Sequence, residues 1–230
     1  MEQELDAIDH IQRLLENKSQ AKQVTYHKLI NAFEVIAKES KRIATELKKK
    51  TKSTTDHDVT VDFKRINDHE FQVKLAGDLL IFVLHTNIVT FDDENEVMKN
   101  PYIREKEINR YFGQIMIYNF MSDSLKFNRV NDPGYLLARL LINHEGRYIV
   151  EGEGKLGVVY SHVSPEPITE ADLNVLVKLA LTLAIENDLM APPYPQVKFI
   201  TLFQKLEKTQ ELGAGQKIGF RMSYHGKVEG

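Results

Sequence analysis

"DVTVDFKRINDHEFQVKL", residues 58–75, is where the chain changes its period. Val59, Val61 and Phe63 alternate with Asp58, Thr60, Asp62 and Lys64. After the turn Asn67-Asp68-His69, Phe71, Val73 and Leu75 alternate with Glu70, Gln72 and Lys74. Successive side chains of an extended chain point to opposite faces, so this alternation predicts two half-buried strands joined as a hairpin.

Upstream the spacing is helical. No glycine or proline occurs before Gly77, which permits long unbroken elements. Leu5, Ile8, Ile11 and Leu15 mark a first apolar stripe, and the polar stretch 16–23 is expected to interrupt it. Tyr26, Leu29, Phe33, Ile36, Ser40, Ile43 and Leu47 then recur in steps of three and four, a heptad-like seam that predicts a helix from about 24 to 50. The expectation is an N-terminal helical segment, 1–52, forming a coiled coil or a helical hairpin, ahead of a globular domain at 53–230. Self-association would use Leu29, Phe33, Ile36, Ile43 and Leu47; the same seam could instead lie across the sheet.

Downstream, "LLIFVL" (79–84) lacks alternation and is expected as a central strand covered on both faces; "NIVTF" (87–91) is read as another strand. Residues 92–110 are polar and predict an irregular, partly helical crossover. Strands are expected at 113–120, 124–130, 135–142, 147–151 and 156–161, with turns at "SDS", "NDPG", "NHEG" and "EGEG". Short spacing of this kind predicts an antiparallel meander. One buried helix, about 169–189, starts at a Thr169–Asp172 capping box. Its polar positions Asn174, Lys178, Thr182 and Glu186 recur every four residues and leave one narrow wet stripe. "APPYP" (191–195) stops it, and strands are expected at 196–204 and 216–224. The fold class is α+β with a mostly antiparallel sheet.

Composition removes several functions. The chain has no cysteine, which excludes disulfides, thiolate nucleophiles, zinc fingers and iron–sulfur clusters. A net charge of −3 favours neither nucleic acid nor an anionic surface over the whole chain. "MEQELDAIDHIQ" is acidic and amphipathic, unlike a secretory signal, and no apolar run approaches the ~20 residues that span a bilayer. A cytoplasmic protein without a membrane segment is expected.

Three motifs invite chemistry. Gly152, Gly154 and Gly157 stand at G-x-G-x-x-G spacing with Val159 behind them, as in a kinase phosphate loop. Phosphoryl transfer also needs a following lysine strand, a catalytic loop and D-F-G, and none of these is present. The glycines are read as a tight turn between strands, with Gly152 and Gly154 at positive φ. Asp132, Glu153 and Lys155 resemble the acidic–acidic–lysine set of metal-dependent nucleases, in which two carboxylates hold Mg²⁺ beside a lysine. Lys38, Lys41, Arg42, Lys48, Lys49 and Lys52 form a basic stripe at helical intervals. Residues 38–52 hold seven basic and two acidic side chains, net +5, a surface for an acidic partner or a phosphate backbone. No histidine pair has metal-ligand spacing, and no cofactor or metal is expected.

The stretch "GQIMIYNFMSDSLKFNRVNDPGYLLARLLINHEGRYIVEG" (113–152) is similar to bacterial proteins of no assigned activity. The similarity extends over about 80–195 and implies a recurring fold. The leading functional expectation is a non-enzymatic binding or adaptor protein that uses its sheet surface and N-terminal helices. The alternative is a metal-dependent enzyme cutting nucleic acid.

Overall fold

A computed structural model describes residues 7–52, 59–152, 154–159 and 162–190, together with Pro195, Lys198 and 216–217. Helix α1 (Ala7–Leu14) passes through one π turn (Leu15–Ser19) directly into α2 (Gln20–Lys52). Leu14 and Gln20 both keep helical backbone angles. The interruption expected at 16–23 is therefore corrected, and with it the helical-hairpin alternative. The extra residue of the π turn absorbs the change of face, and the chain does not reverse. Helix α2 has 33 residues, about 50 Å at 1.5 Å per residue.

The expected hairpin is β1 (Val61–Asn67) and β2 (Glu70–Leu75). Next come β3 (Asp78–Val89), β4 (Phe112–Met121), β5 (Tyr135–Asn143) and β6 (Tyr148–Gly152). They form a six-stranded sheet in the order β1-β2-β3-β4-β5-β6, antiparallel throughout. "LLIFVL" and "NIV" belong to one strand, β3. Its outer face is only half covered, because Ile81 and Val83 keep partial exposure while Leu80, Phe82 and Leu84 are buried. The crossover between β3 and β4 carries two 3₁₀ turns and the short helix α3 (Pro101–Glu105).

Two expected strands are corrected. Residues 122–126 form a single helical turn, α4, and Asn128 takes φ 50°, so the segment closes the β4–β5 connection. Residues 155–159 form a short helix, α5. The 196–204 strand lies outside the described residues. Of 216–224, only Gln216–Lys217 is described, paired with Leu189–Met190.

Helices α2 and α6 (Glu170–Glu186) share one face of the sheet. Helix α6 starts as expected: Thr169 Oγ1 accepts from Asp172 N–H at 3.2 Å, and Asp172 Oδ2 accepts from Thr169 N–H at 2.9 Å. Leu173, Leu176, Val177, Ala180, Leu181 and Ala184 are buried; Lys178, Thr182 and Glu186 stay wet. On α2, Leu29, Phe33 and Ile36 are 0% exposed, Ile43 is nearly as deep, and Leu47 packs at the margin. The seam read as a self-association surface is therefore inside the protein's own core. A helix packed on a sheet needs the same three-and-four stripe as a helix packed on a helix.

Aromatic contacts mark where α2 meets the sheet. Phe33 lies 5.2 Å from the Phe71 ring, Phe63 is 5.4 Å away, and Phe71 stacks on Phe82 at 4.4 Å. Arg65 on β1 sits 5.1 Å over the Phe33 ring while pairing with Glu34 at 2.5 Å. Close approach farther along α2 depends on Gly113, where a Cβ would come within 2.9 Å of Leu29 Cδ2. A smaller apolar cluster covers part of the opposite sheet face: Met98 and Ile103 of the crossover pack with Phe112, Leu141 and Ile149.

Truncating Phe33 to alanine removes a fully buried ring between helix and sheet. The expected cost is about 3–5 kcal/mol, read as a lower urea midpoint. Because the seam is intramolecular, this loss is expected to be the same at low and high protein concentration; a loss that grows with concentration contradicts this packing.

Candidate functional site

The basic stripe lies on the face of α2 opposite the core. Lys38, Lys41, Arg42, Lys48 and Lys49 are all exposed; Lys52 ends the helix, and its side chain lies outside the described set. Carboxylates are interleaved with the cations. Arg42 pairs with Glu39 at 3.0 Å and Glu46 at 3.5 Å, Lys50 with Glu46 at 2.6 Å, and Lys48 with Asp62 of β1 at 3.3 Å. The hydrogen bond from Arg42 is the largest influence lowering the pKa of Glu39, and that from Lys50 does the same for Glu46. Lys38, Lys41 and Lys49 form no ion pair with a described residue. They are the cations available to a ligand.

The glycine turn has a structural reason. Gly154 takes φ 55°, a left-handed conformation that glycine adopts without steric cost. Gly152 has no positive φ, contrary to expectation. Its carbonyl oxygen instead lies where a Cβ on Gly157 would stand, 2.2 Å away. The glycines let α5 fold tightly back on the end of β6, and Leu156 enters the core. Helix α5 has five residues and lies beside an antiparallel sheet, unlike the strand–loop–helix of a dinucleotide site.

Asp132 has fixed partners. Its Oδ2 accepts from Ser124 Oγ at 2.5 Å and pairs with Arg129 Nε at 2.9 Å, and its side chain is 1% exposed. This ties the β4–β5 connection together. Glu153 lies outside the described residues. Lys155 opens α5 and is exposed. Among the described residues, no group of three metal-ligating side chains converges.

The polar cluster that the structure does assemble was not foreseen. It joins the crossover to the β5–β6 hairpin. Tyr102 donates its hydroxyl to Glu145 at 2.9 Å and accepts from Asn143 Nδ2 at 2.8 Å. The Arg147 guanidinium lies 3.8 Å from the centre of the Tyr102 ring. Asn109, 1% exposed, gives Nδ2 to the Tyr102 carbonyl at 2.7 Å and presents Oδ1 to His144 Nε2 at 2.9 Å. An amide oxygen can only accept, so His144 carries its proton on Nε2. Burial pushes the Tyr102 hydroxyl up to about 12 and holds the His144 pKa down. With both hydrogen-bonding roles of its hydroxyl filled, a neutral Tyr102 serves as a tether between the elements. "NHEG" reads locally as a turn, and Asn143 does form one, accepting from Glu145 and Arg147 N–H at 3.1 and 3.0 Å.

Among the described residues, apolar side chains remain exposed on the sheet and on α1. On the outer sheet face, half-buried Ile81 lies opposite Tyr118 and Val83 opposite Met116. On α1 no residue is buried: Ile8 is 66% exposed, Ile11 51%, Leu14 44%, and Leu15 in the following turn 59%. No helix among the described residues is long and apolar enough to cross a membrane. No known protein family matches the chain, and neither does any curated protein or solved structure.

The low pKa of His144 makes a pH prediction. The unfolded chain binds a proton below pH ~6.5, the ordinary histidine value, where the folded chain resists it. This histidine therefore makes stability rise with pH up to that point and fall as pH drops below it. Urea titrations between about pH 5 and 7 are expected to show a shallower slope of stability with pH in His144→Asn than in the native protein. An unchanged slope contradicts the burial argument.

Proposed function

We propose that this chain is a cytoplasmic, non-enzymatic binding or adaptor protein that docks through α1, with a second copy of itself as the partner always at hand. The observation that carries the reading is the exposed apolar stripe Ile8, Ile11 and Leu15, spaced by three and four and 51–66% exposed. Stripes at this spacing belong to helices that bury one face. No described part of the body buries this one, because α2 turns its own seam into the sheet and the π turn carries α1 onward. The pair of helices would exclude water from both stripes, as in a short coiled coil. The open sheet face around Val83 and Met116 offers a second recognition surface.

Sedimentation velocity tests this directly. The full chain is expected to shift toward a dimer as concentration rises from about 1 to 100 µM. Ile11→Asp is expected to remain monomeric with unfolding changed by no more than about 0.5 kcal/mol, since the site is on the surface. A chain that stays monomeric over that range, or a variant that associates as well as the native protein, contradicts the proposal.

A further inference from the structure

The two edges of the sheet are finished differently. At β6 the backbone is occupied: Tyr148 O accepts from Ser164 N–H at 2.9 Å, and Tyr148 N–H donates to Ser164 Oγ at 3.0 Å. At β1 the Thr60 carbonyl accepts from Ala76 N–H at 2.8 Å, and Asp62 and Lys64 sit opposite Lys74 and Gln72. Backbone groups of an antiparallel strand alternate sides. Thr60, Asp62 and Lys64 thus direct theirs toward β2, while Val61 and Phe63 direct theirs away from it. No described strand pairs with that outer edge.

Beside the open edge runs a groove of about 310 Å³ between α2 and β1. Lys41, Ala44 and Lys48 form its helix wall, and Val61 and Phe63 its strand wall. Asp62 is the one carboxylate in the lining, and Lys48 neutralises it at 3.3 Å. Lys41 faces the groove without an ion pair to a described residue, and Lys38 and Lys49 lie along the same side of α2. The walls are therefore net positive, and Val61 and Phe63 give the strand wall its apolar part.

We infer that this edge captures an extended acidic segment of a partner protein by strand addition. The segment would pair its backbone with Phe63, lay alternate apolar side chains against Val61 and Phe63, and set carboxylates toward Lys38, Lys41 and Lys49. Main-chain bonds would supply affinity, and the groove would supply selectivity. Lys64 on the edge discourages pairing with any chance strand. A nucleic acid is the poorer fit: Glu39 and Glu46 break up the cationic face, and a phosphate backbone has no donors for the carbonyls of a strand edge. This inference is independent of α1 and survives if the chain proves monomeric.

The experiment is a ¹⁵N NMR titration of the full chain. The probe is a capped octapeptide of alternating Glu and Val, set against the same peptide with every second amide N-methylated, a Lys–Val counterpart, and a single-stranded oligonucleotide. The Glu–Val peptide is expected to bind and to slow hydrogen exchange at the Phe63 and Arg65 amides at least about tenfold. The N-methylated and Lys–Val peptides are expected not to bind, and K41E/K49E to weaken the Glu–Val peptide about tenfold. Equal binding of the N-methylated peptide, preference for the oligonucleotide, pairing of β1 edges between two copies, or no response at Phe63 up to about 1 mM peptide each overturns the inference.

Discussion

The contact on which the structure depends is the stack of Phe33 from α2 against Phe71, itself stacked on Phe82. Aromatic rings bury large areas and add specific contact geometry, and here one of them joins a helix to two neighbouring strands. Everything that α2 does on its other faces follows from this attachment. With its apolar seam turned to the sheet, the opposite face must be wet, and the lysines of that face stand clear of the core. Arg65 closes the same junction from outside, held between the Phe33 ring and Glu34. The β1 edge and the basic helix face come side by side because of this junction.

The same attachment explains α1. The π turn at Leu15–Ser19 inserts an extra residue into a helix that never breaks, so the apolar stripe of α1 leaves the line of the α2 seam. The helix continues past the body with its apolar residues in water. The proposed docking surfaces are thus gathered at the N-terminal helices and the adjoining sheet edge. The opposite end of the sheet is locked by the Tyr102–Asn143–Glu145 network and by Ser164 on β6.

The sequence carried the period of each element well and its partners poorly. The change of period at Asp58, the Thr169–Asp172 cap and the four-residue wet stripe of α6 are local signals, and they were legible. The three-and-four spacing of Leu29, Phe33 and Ile36 was equally visible, but it states only that one face is buried. Whether a sheet or another helix covers that face is a tertiary matter. A strand was expected at 124–130, yet Leu125, Phe127 and Val130 are 46%, 60% and 79% exposed; Asp132, holding Ser124 and Arg129, decides that segment. Another strand was expected at 156–161, and the close approach of Gly157 to the Gly152 carbonyl accompanies a short helix there instead. The Tyr102 cluster had no local signature, since its members meet across 43 residues of chain. The β1 edge, with which no described strand pairs, was likewise hidden until the strand order was known.

Native-state hydrogen exchange tests the attachment of α2 to the sheet most directly. If Phe33 and its neighbours make helix and sheet one cooperative unit, amides from Leu29 to Ala44 exchange with the same opening free energy as those at the centres of β2, β3 and β4, while amides of α1 exchange far faster. An α2 that opens at a markedly lower free energy than the sheet would contradict the account, because the seam would then be free to serve another chain.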